Sequence, residues 1–514
     1  MQPSIRVFCS SLGLALAVPW CGSLSQSVEN GSALAPPVIA TRVSVPAPVR
    51  AEPVAPWIQA LLDTTAAGGV RAANVRLGLL AAAEVRQFFG AGYVPAWTPL
   101  TDSLSPDATA ALVRLARATE YGLRPADYHQ SRLRALCDSL AHPPDPGAPA
   151  VRARQQAALE VYLSDALLRL MRDLSRGRLH SYTPTAREKA AGPAGQPAAV
   201  LRAALAAHRV PEAINEAQPT NREYRQLQRA LVRWLAQPTD PDSAALHKMR
   251  YQQVALNLER WRWNPIADPE YLLINLPAYE LQVVAGDSVR RRHRVIVGKP
   301  ETPTPTLSSQ INYFTLAPDW HVPNSIATKE VLPRLRKNPG YLARNNMTLY
   351  NRRGQVLNPY RIDWARVSPV NFPYTFRQSA CCDNALGNIV FRFKNPYSVY
   401  LHDTPARQLF ERPARALSHG CIRMAEPMQL AAYLLRRAGQ PVRLPSEEAC
   451  VRQPTPRDVQ LRRAMPINVR YATCTASGGQ LRFLPDIYRY DEVVRRGLFG
   501  PIMPSATAWG GAAK

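Results

Sequence analysis

The feature that most constrains this sequence is a change of hydrophobic period near Asn264. Before it, apolar residues recur at steps of three and four. Leu112, Leu115, Ala116 and Thr119 form one stripe, stopping at Gly122; Leu159, Tyr162, Leu163, Ala166 and Leu170 form another, ended by Gly177. A third joins Tyr224, Leu227, Leu231 and Leu235. Such steps keep side chains on one face of a helix with 3.6 residues per turn, and glycine supplies the left-handed residue that ends it. After Asn264, Tyr279, Leu281 and Val283 alternate with Glu280 and Gln282, Ala285-Gly286-Asp287 offers a turn, and Arg294-Val295-Ile296-Val297 follows. Alternation returns at Ile467, Val469 and Tyr471, then Ser477-Gly478-Gly479 leads to Leu481 and Phe483. A period of two is the signature of strands and hairpins. The fold class expected is therefore α+β: an all-α N-terminal half and a mainly-β C-terminal half, with a few helices such as Pro427 to Ala438.

The 514 residues suit two or three domains. Arg6 ahead of Val7-Phe8-Cys9 and Leu12 to Val18 reads as a secretory signal over 1–25, so export to the periplasm is expected. Trp20 is too bulky for lipidation at Cys21. An Ala/Pro-rich linker over 26–55, a helical domain over 56–255, a β-rich domain over 256–496 and a loose tail over 497–514 complete the division. Beyond the signal no apolar run reaches the roughly 18 residues that span a bilayer, so no transmembrane anchor is expected.

Lysine and arginine number 63 against 38 acidic residues, a net charge of +25. The arginines are spread without zinc-finger spacing or an RNA-binding aromatic signature, so nucleic acid is not an expected partner. Diffuse positive charge suits work beside anionic wall polymers or phospholipid surfaces. Of eight cysteines, Cys9 and Cys21 fall at the signal; Cys137, Cys381, Cys382, Cys421, Cys450 and Cys474 are too sparse for a disulfide scaffold. Pairing of Cys450 with Cys474 stays open, as does the state of the neighbours Cys381 and Cys382.

The chemistry-bearing stretch is Tyr400-Leu401-His402-Asp403-Thr404-Pro405, followed by Ser418-His419-Gly420-Cys421-Ile422-Arg423. A thiolate is a good acyl acceptor, and an imidazole can take the thiol proton and return it to a leaving amine. Gly420 permits close approach to a substrate, and N–H groups around Cys421 suit a developing oxyanion. Zinc is not expected: His419 and Cys421 are two apart, with no C-x-x-C or H-x-x-x-H beside them. Buried structural cysteine and histidine is the bland alternative.

These residues resemble the YkuD-type L,D-transpeptidases, in particular their larger YcbB-like periplasmic branch. The resemblance rests on Ser418-His419-Gly420-Cys421 with the upstream His402. Supporting blocks are Asn257-Leu258-Glu259-Arg260-Trp261-Arg262-Trp263, Val297-Gly298-Lys299, Thr302-Pro303-Thr304-Pro305, Asp319-Trp320-His321-Val322-Pro323, Asn384-Ala385-Leu386-Gly387 and Pro485-Asp486-Ile487-Tyr488. Weaker echoes at Tyr93 to Trp97 and Tyr121 to His129 extend it into the helical half, which the resemblance makes a scaffold domain. It implies a cysteine acyltransferase of peptidoglycan stem peptides, without cofactor or metal. Cys421 would be the nucleophile and His402 the general base and proton donor. His419 and Gly420 would support the oxyanion hole, with Arg423, Ser418, Tyr400 and Trp320 contacting substrate. The product would be a 3→3 cross-link with release of D-alanine. Carbapenem-type inhibitors and cell-wall synthases are the partners implied. Two alternatives stand beside this: an L,D-carboxypeptidase or cross-link hydrolase using the same acyl-enzyme, and a non-catalytic wall-binding protein. Either the Asp403 side chain or a backbone carbonyl would orient His402. The insert over about 325–384 corresponds to a capping lid, and Gln237 to Val254 leaves no room for the wall-binding module that larger relatives carry.

Overall fold

A computed structural model describes residues 53–63, 77–98, 104–142, 149–179, 196–238, 240–381, 383–446 and 456–500. The signal expected over 1–25 and nearly all of the linker lie outside the described residues.

The helical half contains α1 (Ala55–Leu62), α2 (Ala82–Phe89), α3 (Pro106–Ala116), α4 (Gln130–Ala141), α5 (Pro149–Arg176), α6 (Pro197–Ala206), α7 (Val210–Glu216) and α8 (Arg222–Leu235). The stripe expected to run to Gly122 divides: α3 stops at Ala116, and a 3-10 turn over Ala118–Tyr121 carries the chain to Gly122, which is left-handed. Helix α5 is the axis, 28 residues or about 42 Å long at 1.5 Å per residue. Against it pack α1, α2, α3, α4 and α6. It is buried nearly all round, and its polar residues bind the main chain of other segments. Glu160 accepts from the N–H groups of Ala96 (2.8 Å), Trp97 (2.9 Å) and Thr98 (2.7 Å), and from the Thr98 hydroxyl. Asp165 accepts from Ala81 N–H (2.7 Å) and pairs with His129 Nε2 (2.8 Å). These carboxylates replace the backbone partners that irregular segments lack.

Helix α9 (Ala244–Trp263) joins the two halves, crossing the expected boundary at 255/256. Its Glu259 and Arg262 face the scaffold: Glu259 accepts from Leu179 N–H (2.8 Å), and Arg262, fully buried, donates to the Tyr121 carbonyl (2.5 Å) and the Tyr224 hydroxyl (3.1 Å). On the other side, Asn257 exchanges two hydrogen bonds of 2.9 Å with Thr473, and Arg260 pairs with Asp491.

In the second half β1 (Glu270–Asn275), β2 (Glu280–Ala285), β3 (Ser288–Gly298) and β4 (Leu307–Leu316) precede an insert carrying β5 (Trp320–His321), β6 (Met347–Tyr350) and β7 (Thr375–Gln378). There follow β8 (Ile389–Phe393), β9 (Leu401–His402), β10 (Ala416–Ser418), β11 (Ile422–Met424) and β12 (Arg457–Arg470), then the hairpin β13 (Cys474–Ser477) and β14 (Gln480–Phe483). The main sheet runs β10-β3-β11-β9-β8-β4-β12-β1-β2, and β2 pairs back onto β3, closing it on itself. Closure removes open edges. Leu272, Ile274, Val283, Val297, Phe314, Phe391, Leu401, Ile422 and Ile467 fill the core. Helix α12 is kept for Pro427–Arg437, after the short α10 (Leu332–Lys337) and α11 (Tyr341–Arg344) of the insert.

The insert pairs as β5-β7-β6 and has its own core, including Val322, Val331, Leu335, Leu349, Trp364 and Phe376. A loose tail was expected from Gly497, but residues 497–499 are helical, and 501–514 lie outside the described residues. Helix α13 (Asp491–Phe499) holds the chain because Leu498 is buried and its carbonyl accepts from Arg178 (2.9 Å).

Replacing Glu160 with Ala strands two buried N–H groups, a part-buried one and a buried hydroxyl. Unmade buried hydrogen bonds each cost about 1–3 kcal/mol, so a loss of about 3 kcal/mol or more is expected. Urea denaturation midpoints for the wild type and Glu160→Ala measure it, and a change within about 0.5 kcal/mol would contradict this account.

Candidate active site

The site is set by one parallel strand pair. In register, Leu401 lies opposite Ile422 and His402 opposite Arg423. Side chains alternate along a strand, so Leu401 and Ile422 share one face and both enter the core. The residues on either side take the opposite face. That puts Tyr400 and His402 of one segment beside Cys421 and Arg423 of the other. The Ile422 N–H locks the pairing by donating to the Tyr400 carbonyl at 3.0 Å.

His402 is 5% exposed. Its Nδ1–H donates to the main-chain carbonyl of Asp403 at 2.6 Å, leaving Nε2 as the lone-pair nitrogen. Of the two orienting groups open from the sequence, the backbone carbonyl is the one used. The Asp403 carboxylate instead accepts from Asn388 N–H at 2.8 Å. It lies so close to Gly387 that a Cβ there would stand 2.4 Å from Asp403 Oδ2, and Gly387 has φ +60°. The Asn384 to Gly387 block is therefore shaped by Asp403.

The loop before Cys421 is braced from within and below. Gly420 has φ +118°, a conformation that costs L side chains strain. Ser418, 2% exposed, donates to the Cys421 carbonyl (2.6 Å) and accepts from Gly420 N–H (3.2 Å). Ser418 thus ties the loop together and is not available as the substrate contact expected of it. Gly420 N–H is used in this way, whereas the main-chain N–H groups of His419 and Cys421 have no partner among the described residues. Beneath the loop, Thr304 Oγ1 donates to the Gly420 carbonyl (2.7 Å) and accepts from Gly298 N–H (2.8 Å). The Tyr488 hydroxyl donates to the Gly298 carbonyl (2.7 Å) and accepts from Thr304 N–H (3.2 Å). Thr304 and Tyr488 were visible only as parts of motif blocks; nothing in their spacing announced a brace.

Burial dominates the electrostatics. It pushes His402 down to about 3, with the Arg423 charge acting in the same direction. Burial also raises the Cys421 thiol, opposed by hydrogen bonds from the Tyr400 N–H and hydroxyl and by Arg423. Arg423 is itself lowered by burial, and its Nε has no hydrogen-bond partner among the described residues. The resting pair is therefore a neutral thiol and a neutral imidazole.

The insert supplies the rest of the surroundings. Trp320 hydrogen-bonds the Tyr400 hydroxyl while its ring packs on the insert core, so both expected aromatic residues reach the thiol, one through the other. Arg392 lies over the Tyr400 ring at 5.7 Å. The His419 ring does not sit with His402: it reaches out to Glu330 of the insert, Nε2 to Oε1 2.5 Å, with side chains 40% and 39% exposed. Glu330 was not foreseen, since an isolated carboxylate in an insert carries no sequence signal. Cys137, Cys381, Cys421 and Cys474 are free thiols; Cys382 and Cys450 lie outside the described residues. Among the described residues no three His, Cys, Asp or Glu side chains gather as a metal site, and no helix is long and apolar enough to cross a membrane.

Residues 269–444 match the YkuD family, the L,D-transpeptidase catalytic domain, and residues 83–231 match the Scaffold domain family. A Haemophilus influenzae protein provisionally named an L,D-transpeptidase is 32% identical over 277 residues, 53% of this chain and 54% of that one. The chain thus spans about half the length of that relative. Among solved structures, the Ldtfm–avibactam carbamoyl enzyme is 14% identical, covering 40% of this chain and 51% of that one with a TM-score of 0.20. An L,D-transpeptidase from Mycobacterium smegmatis is 17% identical, covering 39% and 58% with a TM-score of 0.19. The chain carries a YkuD-type L,D-transpeptidase catalytic domain joined to a helical Scaffold domain.

Proposed function

We propose that this protein is an exported peptidoglycan L,D-transpeptidase that forms 3→3 cross-links through a Cys421 thioester. The observation that carries the reading is the β9–β11 register, which sets Cys421 and Arg423 on one face with Tyr400 and His402. His402 Nε2 takes the proton of the Cys421 thiol as the sulfur attacks the carbonyl of the third stem residue. The Cys421 N–H and the Tyr400 hydroxyl are the nearby donors for the negative charge that develops on oxygen. The protonated imidazole then gives its proton to the departing amine of D-alanine, leaving the thioester. A side-chain amine of a second stem attacks that carbonyl, forming the new amide and releasing the sulfur. Arg423, with an unpartnered nitrogen beside the thiol, is the cation for a stem carboxylate. The insert covers the site and favours the amine over water. The domains are assigned as 56–255 for the scaffold and 256–496 for catalysis, with 325–384 as the lid.

Mass spectrometry with a carbapenem tests the nucleophile. One covalent adduct on the wild type and none on Cys421→Ala is expected, and an adduct that persists on the variant would assign the chemistry elsewhere. His402→Ala should slow adduct formation by about a hundredfold or more.

A neutral resting pair also makes a pH prediction. Burial holds His402 unprotonated above about pH 3 and keeps the Cys421 thiol protonated through neutrality. Alkylation by iodoacetamide should therefore climb steadily with pH from 5 to beyond 9, because only the thiolate reacts. A plateau between pH 5 and 8, as a thiolate–imidazolium pair gives, would contradict this.

A further inference from the structure

We infer that His419 and Glu330 form a second proton-transfer pair, which deprotonates the acceptor amine when it attacks the thioester. The inference rests on the transpeptidase reading and assigns the acceptor half of that reaction.

The two histidines of the site are placed very differently. His402 is buried and, in the proposed reaction, exchanges its proton with the sulfur on the same face of the sheet. His419 lies two residues from Cys421, and its side chain is 40% exposed. Its Nε2 is held by Glu330 at 2.5 Å, and Nδ1 has no partner among the described residues. A carboxylate on one ring nitrogen fixes the proton there and leaves the other nitrogen as the acceptor, the logic by which an acidic residue orients a catalytic histidine. Glu330 comes from the covering insert, on a π-helical turn over Ala327–Val331, a rare conformation that recurs at functional sites. Glu330 is the charged side chain that reaches His419 among the described residues. The pair is thus complete only when the insert lies over the catalytic loop.

An acceptor of this class is a primary amine on a diamino-acid side chain, protonated at neutral pH with a pKa of about 10.4. An ammonium has no lone pair and cannot attack. His419 Nδ1 takes one proton from it, and Glu330 offsets the charge that the imidazole acquires. The freed lone pair forms the C–N bond at the thioester carbonyl, and the C–S bond breaks with its electrons passing to sulfur. The second proton, shed by nitrogen as it becomes an amide, passes through His402 Nε2 to the Cys421 sulfur and restores the thiol. His419 returns its proton to water. Glu330 acts as a positioning residue in this scheme, and His419 as a catalytic one.

The experiment uses the full chain with a tetrapeptide stem as donor and Nα-acetyl-lysine as soluble acceptor. D-Alanine release reports acylation, and the ratio of aminolysed to hydrolysed tripeptide reports the acceptor step. For Glu330→Gln and His419→Gln the ratio should fall about tenfold at pH 7 and recover to within about twofold of wild type at pH 10, where roughly a quarter of the amine arrives already deprotonated, against about one part in 2500 at pH 7. For Glu330→Gln acylation should fall far less than the ratio. A ratio equal to wild type at pH 7 overturns the inference. So does one that stays depressed at pH 10, or a loss of acylation equal to the loss of ratio, since either marks a merely structural contact. If the wild type releases no D-alanine and takes no carbapenem, the transpeptidase reading itself fails.

Discussion

The whole site depends on two short parallel segments lying in one register. β9 and β11 contribute two and three residues, too little pairing to be stable alone, and they hold because Leu401 and Ile422 are both driven into the closed sheet's core. Burial of two such side chains supplies about 1.5–3 kcal/mol each. The opposite face then has no choice of occupants: the neighbours of Leu401 are Tyr400 and His402, and those of Ile422 are Cys421 and Arg423. A slip of one residue would turn the sulfur into the core and a leucine or isoleucine outward. The hydrophobic effect, which knows nothing of catalysis, thereby turns a thiol and an imidazole to the same face of the sheet.

Register alone places the Cα atoms; the loop that follows Ser418 needs more. Gly420 adopts a conformation that few residues tolerate, and the hydroxyls of Ser418, Thr304 and Tyr488 hold it there by binding main-chain groups. These contacts link the end of β3 and the Thr-Pro-Thr-Pro turn just after it with two stretches distant in sequence, the catalytic loop and the segment before α13. A strained turn persists only where its surroundings over-determine it, and here each hydroxyl acts as donor and acceptor at once. The helix α9 plays the same part on a larger scale. Its Glu259 and Arg262 fasten the scaffold, and its Asn257 and Arg260 fasten Thr473 and Asp491.

The sequence displayed whatever depends on period or on a local string. Stripes such as Leu159 to Leu170 and the Gly478-Gly479 hairpin appear where their spacing put them, because amphipathic burial and glycine turns are short-range physics. Cys421, His402 and their neighbours could be picked out for the same reason: they sit in two compact strings. What could not be seen was anything decided by long-range closure. Ser418 was expected to contact substrate and is buried as a brace, since only the fold sets which hydroxyls face inward. Glu330 approaches His419 across 89 residues, and no local pattern marks such a meeting. Residues 497–499, expected to open a loose tail, are helical because burial of Leu498 and the bond from Arg178 outweigh the roughly 1 kcal/mol helix penalty of Gly497.

The electrostatic balance of the site explains why a carboxylate is kept at its rim and not at its centre. Arg423 and the Tyr400 donors favour a thiolate, yet burial outweighs them and leaves the thiol raised. A carboxylate beside His402 would reverse this by favouring imidazolium. The fold avoids that: the Asp403 side chain turns to Asn388, and only its carbonyl meets the ring. The imidazole consequently stays neutral in the resting site. In the proposed reaction negative charge forms on sulfur and on the substrate oxygen only as bonds change, close to donors already in place, where preorganised dipoles stabilise it most. Glu330, half-exposed at the edge of the insert, can carry its charge next to His419 without protonating the buried ring.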